Sequence, residues 1–314
     1  MARRKKGDAV SGWICLDKTY DLTSTHAVGR VRHLFNAQKA GHAGTLDPLA
    51  TGILPIALGE ATKTVPFMVE ATKTYRFAIE WGRTTSTLDR EGETVAENDV
   101  RPSRDDVEAI LPSFVGQISQ VPPAYSAIKV DGERSYDLAR AGLAVDLAPR
   151  NVIIHSACVT DVPDPDHIEI EIVCGKGTYV RAIARDLAMK LGACAHVSAL
   201  RRTRVGPFGE DQAITLELLE EMSHKPGFLE ALLPVKTALD DIPELAVTAE
   251  DAFKLKQGRP IVLVPRQVEA LKARLAPGSR TVSAMAGELV VALCEMRMGR
   301  LEPTRVFHLD KSGD

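Results

Sequence analysis

The chain has 314 residues, 45% of them hydrophobic and 26% charged, with a formal net charge of −3. That length predicts one large domain with a small one appended, and that composition fits a soluble globular protein. No stretch approaches the roughly 18 consecutive apolar residues of a membrane span, and the basic opening MARRKKGDAVSGW lacks the apolar core of a secretory signal, so the sequence reads as cytoplasmic.

After a basic tail over residues 1–11, SGWICLDK reads as a short strand. Ser24 is placed to cap a helix in which Val28, Val31, Leu34 and Phe35 recur at helical spacing. KAGHAGTLDPLATG is too dense in Gly, Thr and Pro for regular structure, whereas ILPIAL behind it is apolar enough for a buried strand. Asp47 is thereby expected on a loop between two packed elements, where functional side chains concentrate. YRFAIEWG alternates as a strand does, TSTLDREGE is a polar loop, and SRDDVEAILPSF predicts a helix. In QVPPAYSAIKVDGERSYDLARAG the double Pro imposes an extended backbone, DG a tight turn, and YDLARAG a helix.

HIEIEIVC alternates strongly. The following GKGTYVRAIARDLAMKLG puts Val180, Ile183, Ala184, Leu187, Ala188 and Leu191 on one helical stripe, with Gly192 as the stop. Tyr179 and Arg181 fall at its first turn. TLELLEEM reads as a helix, PVKTALDDIPELAV as an irregular join, and a small β-rich domain is expected from about Pro243 onward, with a short helix in DAFKLKQG. The five cysteines, Cys15, Cys158, Cys174, Cys194 and Cys294, are scattered without C-x-x-C spacing, which predicts buried reduced thiols rather than a zinc or redox motif.

The net charge conceals a segregation. From Lys176 to Arg204 seven basic residues face one acid, and His26 to His42 carries Arg30, Arg32, Lys39 and three histidines with no acid. Such separation predicts one basic face on an acidic body, suited to phosphate. The alternative is two solvated helix faces that happen to be basic.

Gly41, Gly44 and Gly52 in GHAGTLDPLATG allow tight turns or close approach of a ligand, and Pro48 pushes Asp47 out of helical conformation. A carboxylate is thereby presented. Locally, Asp47-Pro48 could equally be a turn initiator whose carboxylate caps nearby amides.

This loop resembles the catalytic loop of the TruB-type tRNA pseudouridine synthases, a bacterial family. KTYRF, TSTLDREG, QVPPAYSAIKVDGERSYDLARAG, CGKGTYVRAIARDLAMKLG and ALRRTRVGPF each resemble that family's blocks, in its order, from Gly12 to about Phe208. Several ordered blocks are far more specific than any lone motif. The resemblance implies an α+β pseudouridine synthase fold, with a mixed, largely antiparallel sheet and flanking helices over residues 12–240. Behind it, residues 243–314 would form a small β-rich PUA-like RNA-binding domain.

The activity so implied is an isomerisation, conversion of the uridine at position 55 in the TΨC arm of tRNA to pseudouridine, with no cofactor and no metal. By the same resemblance Asp47 is the catalytic aspartate. A carboxylate serves as nucleophile or base in detaching uracil from its ribose and rejoining it through carbon 5. Arg181 would be the guanidinium that keeps Asp47 ionised, and Tyr179 an active-site tyrosine. His42 would fill the gap left by a flipped base, Tyr75 would stack on the uracil, and Leu200 would form an apolar wall. Base extrusion of this kind costs a few kcal/mol. Lys18, Arg201, Arg202 and Arg204 are suited to phosphate contacts that set affinity without choosing sequence.

One block departs from the family. Its DKPxG is replaced here by DKTYDLTS, with Thr19 and Asp21 where Pro and Gly are usual, a change bearing on Lys18. The partner implied is tRNA alone, with no membrane, no protein partner and a monomeric enzyme. Two other readings stand beside it: a non-catalytic tRNA-binding and folding chaperone, and a hydrolase using Asp47 with His42.

Overall fold

The computed structural model describes residues 7–126, 128–130, 132–143 and 145–309. The first six residues of the basic tail lie outside them.

Alternation in HIEIEIVC buries Ile168, Ile170, Ile172 and Cys174 on one side of the strand His167–Cys174. This strand pairs antiparallel on both edges, with Lys73–Trp81 and with the 15-residue strand Arg150–Asp164. They belong to a ten-stranded sheet. Its spatial order runs Ile214–Thr215, Gly12–Lys18, Thr51–Leu58, Ala195–Val205, Lys73–Trp81, His167–Cys174, Arg150–Asp164, Gly116–Gln120. The short strands Ala40–His42 and Phe208–Gly209 pair off this path. Among the described residues, only two strand pairings of this sheet are parallel, Gly12–Lys18 with Ile214–Thr215 and Thr51–Leu58 with Ala195–Val205, so the sheet is mixed and largely antiparallel.

The second parallel pairing is the seam of the molecule. It consists of Arg201 opposite Thr51 and Arg202 opposite Gly52. At Gly52 the backbone has φ +99°, and a Cβ there would lie 2.2 Å from the Arg202 carbonyl oxygen. Only glycine lets the two strands meet, immediately after the loop that carries Asp47.

Two helices cover the sheet over separate cores. Val180–Lys190 buries Val180, Ile183, Ala184, Leu187 and Ala188 against Phe77, Ile79 and Ile170. Ser24–Leu34 buries Ala27 and Val31 against Ile14, Leu16, Leu54 and Ile56. Burying each such Leu, Ile or Val contributes about 1.5–3 kcal/mol, which fixes both helices relative to the seam. C-terminal to them lies a five-stranded sheet ordered Glu244–Ala246, Thr281–Ala286, Leu289–Arg297, Arg300–Val306, Ile261–Val262. It packs with the helices Ala249–Lys256 and Pro265–Lys272. Its Met285, Leu293 and Phe307 share a core with Trp13 and Phe208 of the larger sheet.

Several expectations change. Thr23, not Ser24, caps the first helix, accepting from the His26 N–H at 3.1 Å. Ser24 is the first helical residue and turns inward. Ala40–His42 is a strand inside the segment read as irregular. Of the cysteines, Cys15, Cys174 and Cys294 are buried, but Cys158 is exposed and Cys194 partly so. Among the described residues no helix is long and apolar enough to cross a membrane.

Candidate active site

The loop from Ala43 to Ala50 is gripped from two sides. On one side Ser24 Oγ donates to the Leu46 carbonyl and accepts from the Leu46 N–H, both at 2.9 Å. The Lys18 ammonium donates to the carbonyls of Thr19, Leu22 and Pro48 at 3.0, 2.8 and 3.1 Å. On the other side Arg202 donates to the carbonyls of Ile53 at 2.7 Å and Gly44 at 3.1 Å. Asp47 lies between these grips, so its backbone is held before any substrate arrives.

Its carboxylate meets Arg181. Oδ2 of Asp47 is 2.8 Å from Arg181 Nη2, and Oδ2 of Asp89 is 3.3 Å from Nη1 of the same guanidinium. Arg181 also donates to the carbonyls of Thr87 and Tyr125, at 2.8 and 2.9 Å. The arginine side chain is only 8% exposed, so these four acceptors replace its water. Asp47 is 42% exposed and opens outward. An ion pair with one partner open to water contributes about 1 kcal/mol or less; here it fixes geometry and supplies positive potential beside a carboxylate that reaches solvent.

Asp89 is placed by strain. Leu88 before it has φ +62°, a left-handed conformation that costs an L-residue about 1–2 kcal/mol. It is held there by Val197, whose N–H donates to the Leu88 carbonyl at 3.0 Å.

Asp47 stands at the mouth of a hollow of about 90 Å³ lined by Tyr75, Thr178, Tyr179 and Leu200. This is well below the roughly 300–1,000 Å³ of pockets for drug-sized ligands, and suits one flat ring against tyrosine side chains. On its other side Asp47 borders a cleft of about 330 Å³ with Thr25, Asp89, Tyr125 and Tyr136. Tyr179 precedes the helix Val180–Lys190 without a side-chain cap of its own. Its backbone is held by the buried Gln120, which donates to its carbonyl at 3.1 Å and accepts from its N–H at 2.9 Å. Burial raises the Tyr75 phenol above its ordinary pKa, with the Arg202 charge opposing, so the phenol stays protonated at neutral pH.

The structure thus brings together Asp47, Arg181, Tyr75, Tyr179 and Leu200. His42 lies apart from that hollow, at the end of its short strand opposite Ile56. Its Nδ1 is buried and without a partner among the described residues. Burial and the Arg202 charge hold its pKa below the ordinary histidine value, which keeps the ring neutral.

The phosphate expectations need correcting. Lys18 and Arg202 are 0% and 1% exposed and spend their donors on backbone carbonyls. Both hold the loop and neither reaches a phosphate. Burial pushes the Lys18 amine down to about 8. Arg201 forms a two-pronged pair with Asp17, both contacts at 2.9 Å, and a third with Glu210 at 2.6 Å. Those carboxylates raise its pKa and already neutralise it.

The same applies to the run from Lys176 to Arg204. Lys176 pairs with Glu70, Arg185 with Asp186, and Arg181 is buried, so of the run's seven basic residues only Lys190 and Arg204 are exposed without an ion pair among the described residues. On the helix Ser24–Leu34, by contrast, His26, Arg32 and His33 are exposed with no ion pair among the described residues, and Lys39 beyond it is likewise free. Arg30 there is spent on Glu220.

Sequence reasoning missed Asp89, Gln120 and Ser24. Asp89 lies in the block TSTLDREG and Gln120 opens the block QVPPAYSAIKVDGERSYDLARAG, both of which carry a signal; Ser24 reads only as a helix cap, and its contact 22 residues away at Leu46 leaves none. Among the described residues no three His, Cys, Asp or Glu side chains converge as a metal site would require.

A model of the TruB family pseudouridylate synthase N-terminal domain matches residues 32–180, and one of the tRNA pseudouridylate synthase B C-terminal domain matches residues 181–240. The chain belongs to the TruB family. It is therefore an isomerase, one that makes pseudouridine from uridine.

This TruB-family chain is 70% identical over 309 residues to the tRNA pseudouridine synthase B of Caulobacter sp. (strain K31), spanning 98% of this chain and 100% of that protein. The protein of the same name from Rhodospirillum rubrum is 45% identical over 309 residues, with the same coverage. Among solved structures, a chain of a Cbf5-Nop10-Gar1 complex matches with a TM-score of 0.70 at 25% identity, covering 95% of this chain and 85% of that one. A chain of an H/ACA RNP bound to a substrate RNA containing 2′-deoxyuridine matches with a TM-score of 0.71 at 21% identity, covering 98% and 92%. The large mixed sheet with its flanking helices is the pseudouridine synthase fold.

Proposed function

We propose that this chain isomerises the uridine at position 55 in the TΨC arm of tRNA, acting as a cytoplasmic monomer with Asp47 as its catalytic carboxylate. The observation that carries this reading is the Asp47 carboxylate, 2.8 Å from Arg181 and open to the hollow lined by Tyr75 and Tyr179.

In the proposed reaction the bond between uracil N1 and ribose C1′ breaks. The base turns within the hollow and a bond forms from C5 to C1′. The C5 proton leaves and N1 regains a proton, so atoms balance with no oxidant or donor. Asp47 meets the reacting sugar or ring as nucleophile or base. Arg181, fixed by two backbone carbonyls and Asp89, holds the Asp47 carboxylate in place and supplies positive potential beside it. Tyr75 and Tyr179 pack against the extruded base, Leu200 walls the pocket, and His42, at its strand end outside the hollow, fills space vacated in the RNA. Phosphate contacts fall to Arg32 and Lys39, exposed and without an ion pair among the described residues. The five-stranded unit behind residue 243 grips RNA further along the arm.

The deciding experiment incubates purified protein with an unmodified tRNA transcript and maps pseudouridine by position. Formation at position 55, lost in Asp47→Asn while tRNA affinity stays within a few-fold, supports the reading. A variant as active as the parent overturns the role of Asp47, and a parent that binds tRNA without modifying it leaves the chaperone reading.

A further inference from the structure

Beside the hollow at Asp47 the sheet carries a second, open depression of about 370 Å³, to which the chemistry above gives no task. Its volume lies within the roughly 300–1,000 Å³ of ligand sites. Leu49, Ser198, Ala199 and Leu200 line both this depression and the small space around Asp47 and Arg181, as do Tyr20 and Arg90. The two spaces therefore adjoin, and through Asp47, Arg181 and Leu200 the smaller one borders the hollow lined by Tyr75 and Tyr179.

Two side chains at the shared border are uncommitted. Tyr20 is 57% exposed and makes no side-chain hydrogen bond among the described residues. Its loop is nonetheless fixed. The Lys18 ammonium holds the carbonyls of Thr19 and Leu22 on either side, and the Asp21 N–H donates to the Pro48 carbonyl at 3.0 Å. An aromatic ring presented on an anchored loop loses little freedom when something stacks on it.

Arg90 is the other. The depression is lined by three arginines, Arg76, Arg90 and Arg201. Arg76 pairs with Glu171 and Arg201 with Asp17 and Glu210, whereas Arg90 is exposed and forms no ion pair or side-chain hydrogen bond among the described residues. Glu169 lines the depression as well, so an anion is favoured at the Arg90 end. A flat aromatic and a free guanidinium on one rim are the two contacts that a single-stranded nucleotide offers partners for, a base face and a phosphate.

We propose that this depression binds the nucleotide adjoining the target uridine in the RNA strand, with its base stacked on Tyr20 and its phosphate on Arg90. The inference rests on reading the Asp47 hollow as the pocket for the extruded base. It makes Tyr20, one of the residues in the divergent DKTYDLTS block, a determinant of which neighbouring nucleotide is accepted.

The test uses the full-length protein and a TΨC stem-loop RNA, intact or carrying one abasic nucleotide on either the 5′ or the 3′ side of the target uridine. Dissociation constants and single-turnover pseudouridine formation are measured for the parent, Tyr20→Ala, Tyr20→Phe and Arg90→Ala. Stacking of a base on an aromatic side chain predicts about a tenfold weaker Kd for Tyr20→Ala on intact RNA, and parent-like binding for Tyr20→Phe. That penalty should vanish on one of the two abasic RNAs. Arg90→Ala should flatten the salt dependence of binding by about one unit of slope.

If the parent forms pseudouridine but Tyr20→Ala carries no penalty, or the same penalty on all three RNAs, the flanking site is wrong and the catalytic reading stands. A parent that forms no pseudouridine in the intact RNA defeats the base-pocket reading and this inference with it.

Discussion

Gln120 holds both backbone groups of Tyr179, accepting from its N–H at 2.9 Å and donating to its carbonyl at 3.1 Å. The carbonyl has other partners, since Ala182 and Ile183 also donate to it, but among the described residues the N–H has Gln120 alone. Gln120→Leu would keep the bulk and strand that donor, at a cost of about 1–3 kcal/mol. Urea denaturation should show a loss of that size, together with weaker RNA binding as Tyr179 loses its anchor. A midpoint unchanged from the parent would mean that the bond carries nothing.

Arg181 is buried between Asp47 and Asp89. Removing it by Arg181→Leu leaves Asp89, 15% exposed, as an unpaired carboxylate, at a cost of about 3 kcal/mol. Adding Asp89→Asn should recover part of that stability and none of the activity. Were the two losses simply additive in a double-mutant cycle, the pair would not be coupled.

Asp21 stands where relatives in the family usually carry glycine, and it adopts φ +60°, the left-handed conformation that glycine takes freely and aspartate tolerates better than most. The departure is absorbed by the backbone, not by a reshaped loop. Asp21→Gly should therefore fall within about 0.5 kcal/mol of the parent, whereas the β-branched Asp21→Val should lose about 1–2 kcal/mol. Equal melting temperatures for the two variants would contradict this.

Lys18 gives a pH signature. Burial holds its amine near 8, with Asp47 favouring the charge, against the ordinary 10.5. The unfolded chain keeps that proton up to about 10.5 while the folded chain releases it near 8, so stability gained from this group rises between those values. Lys18→Met lacks the step. The stability of the parent relative to the variant should grow by up to about 2 kcal/mol from pH 7.5 to 9.5, read from urea titrations. A constant difference would place the amine at its ordinary pKa.

Regular patterns were legible in the sequence where burial is one-sided. The isoleucines of His167–Cys174 and the stripe of Val180–Lys190 announce their elements because each has one core-facing side. The 15-residue strand Arg150–Asp164 escaped because its pairing with His167–Cys174 is broken by register shifts and its buried positions are few. The basic run ending at Arg204 misled for a related reason. Beyond the nearby Asp186 and Glu210, its acid partners Asp17, Asp47, Glu70 and Asp89 come from more than ninety residues away in the chain, and only folding reveals which charges are already answered. For the site, the family blocks pointed to Asp47, Tyr75, Tyr179 and Arg181, which the fold gathers around one hollow; Gln120 opens the block QVPPAYSAIKVDGERSYDLARAG, but only the fold shows that its work is done on another residue's backbone.

The shared core of Trp13, Phe208 and Phe307 ties the fate of the two sheets together. Peeling the smaller sheet away would wet an indole and two phenyl rings at once, and would also break the reach of Lys63 to the Val306 carbonyl and of Glu60 to the His308 N–H. The smaller sheet is thus less a passenger on a hinge than a fixed arm, and RNA gripped by it would be delivered to Asp47 at a set distance.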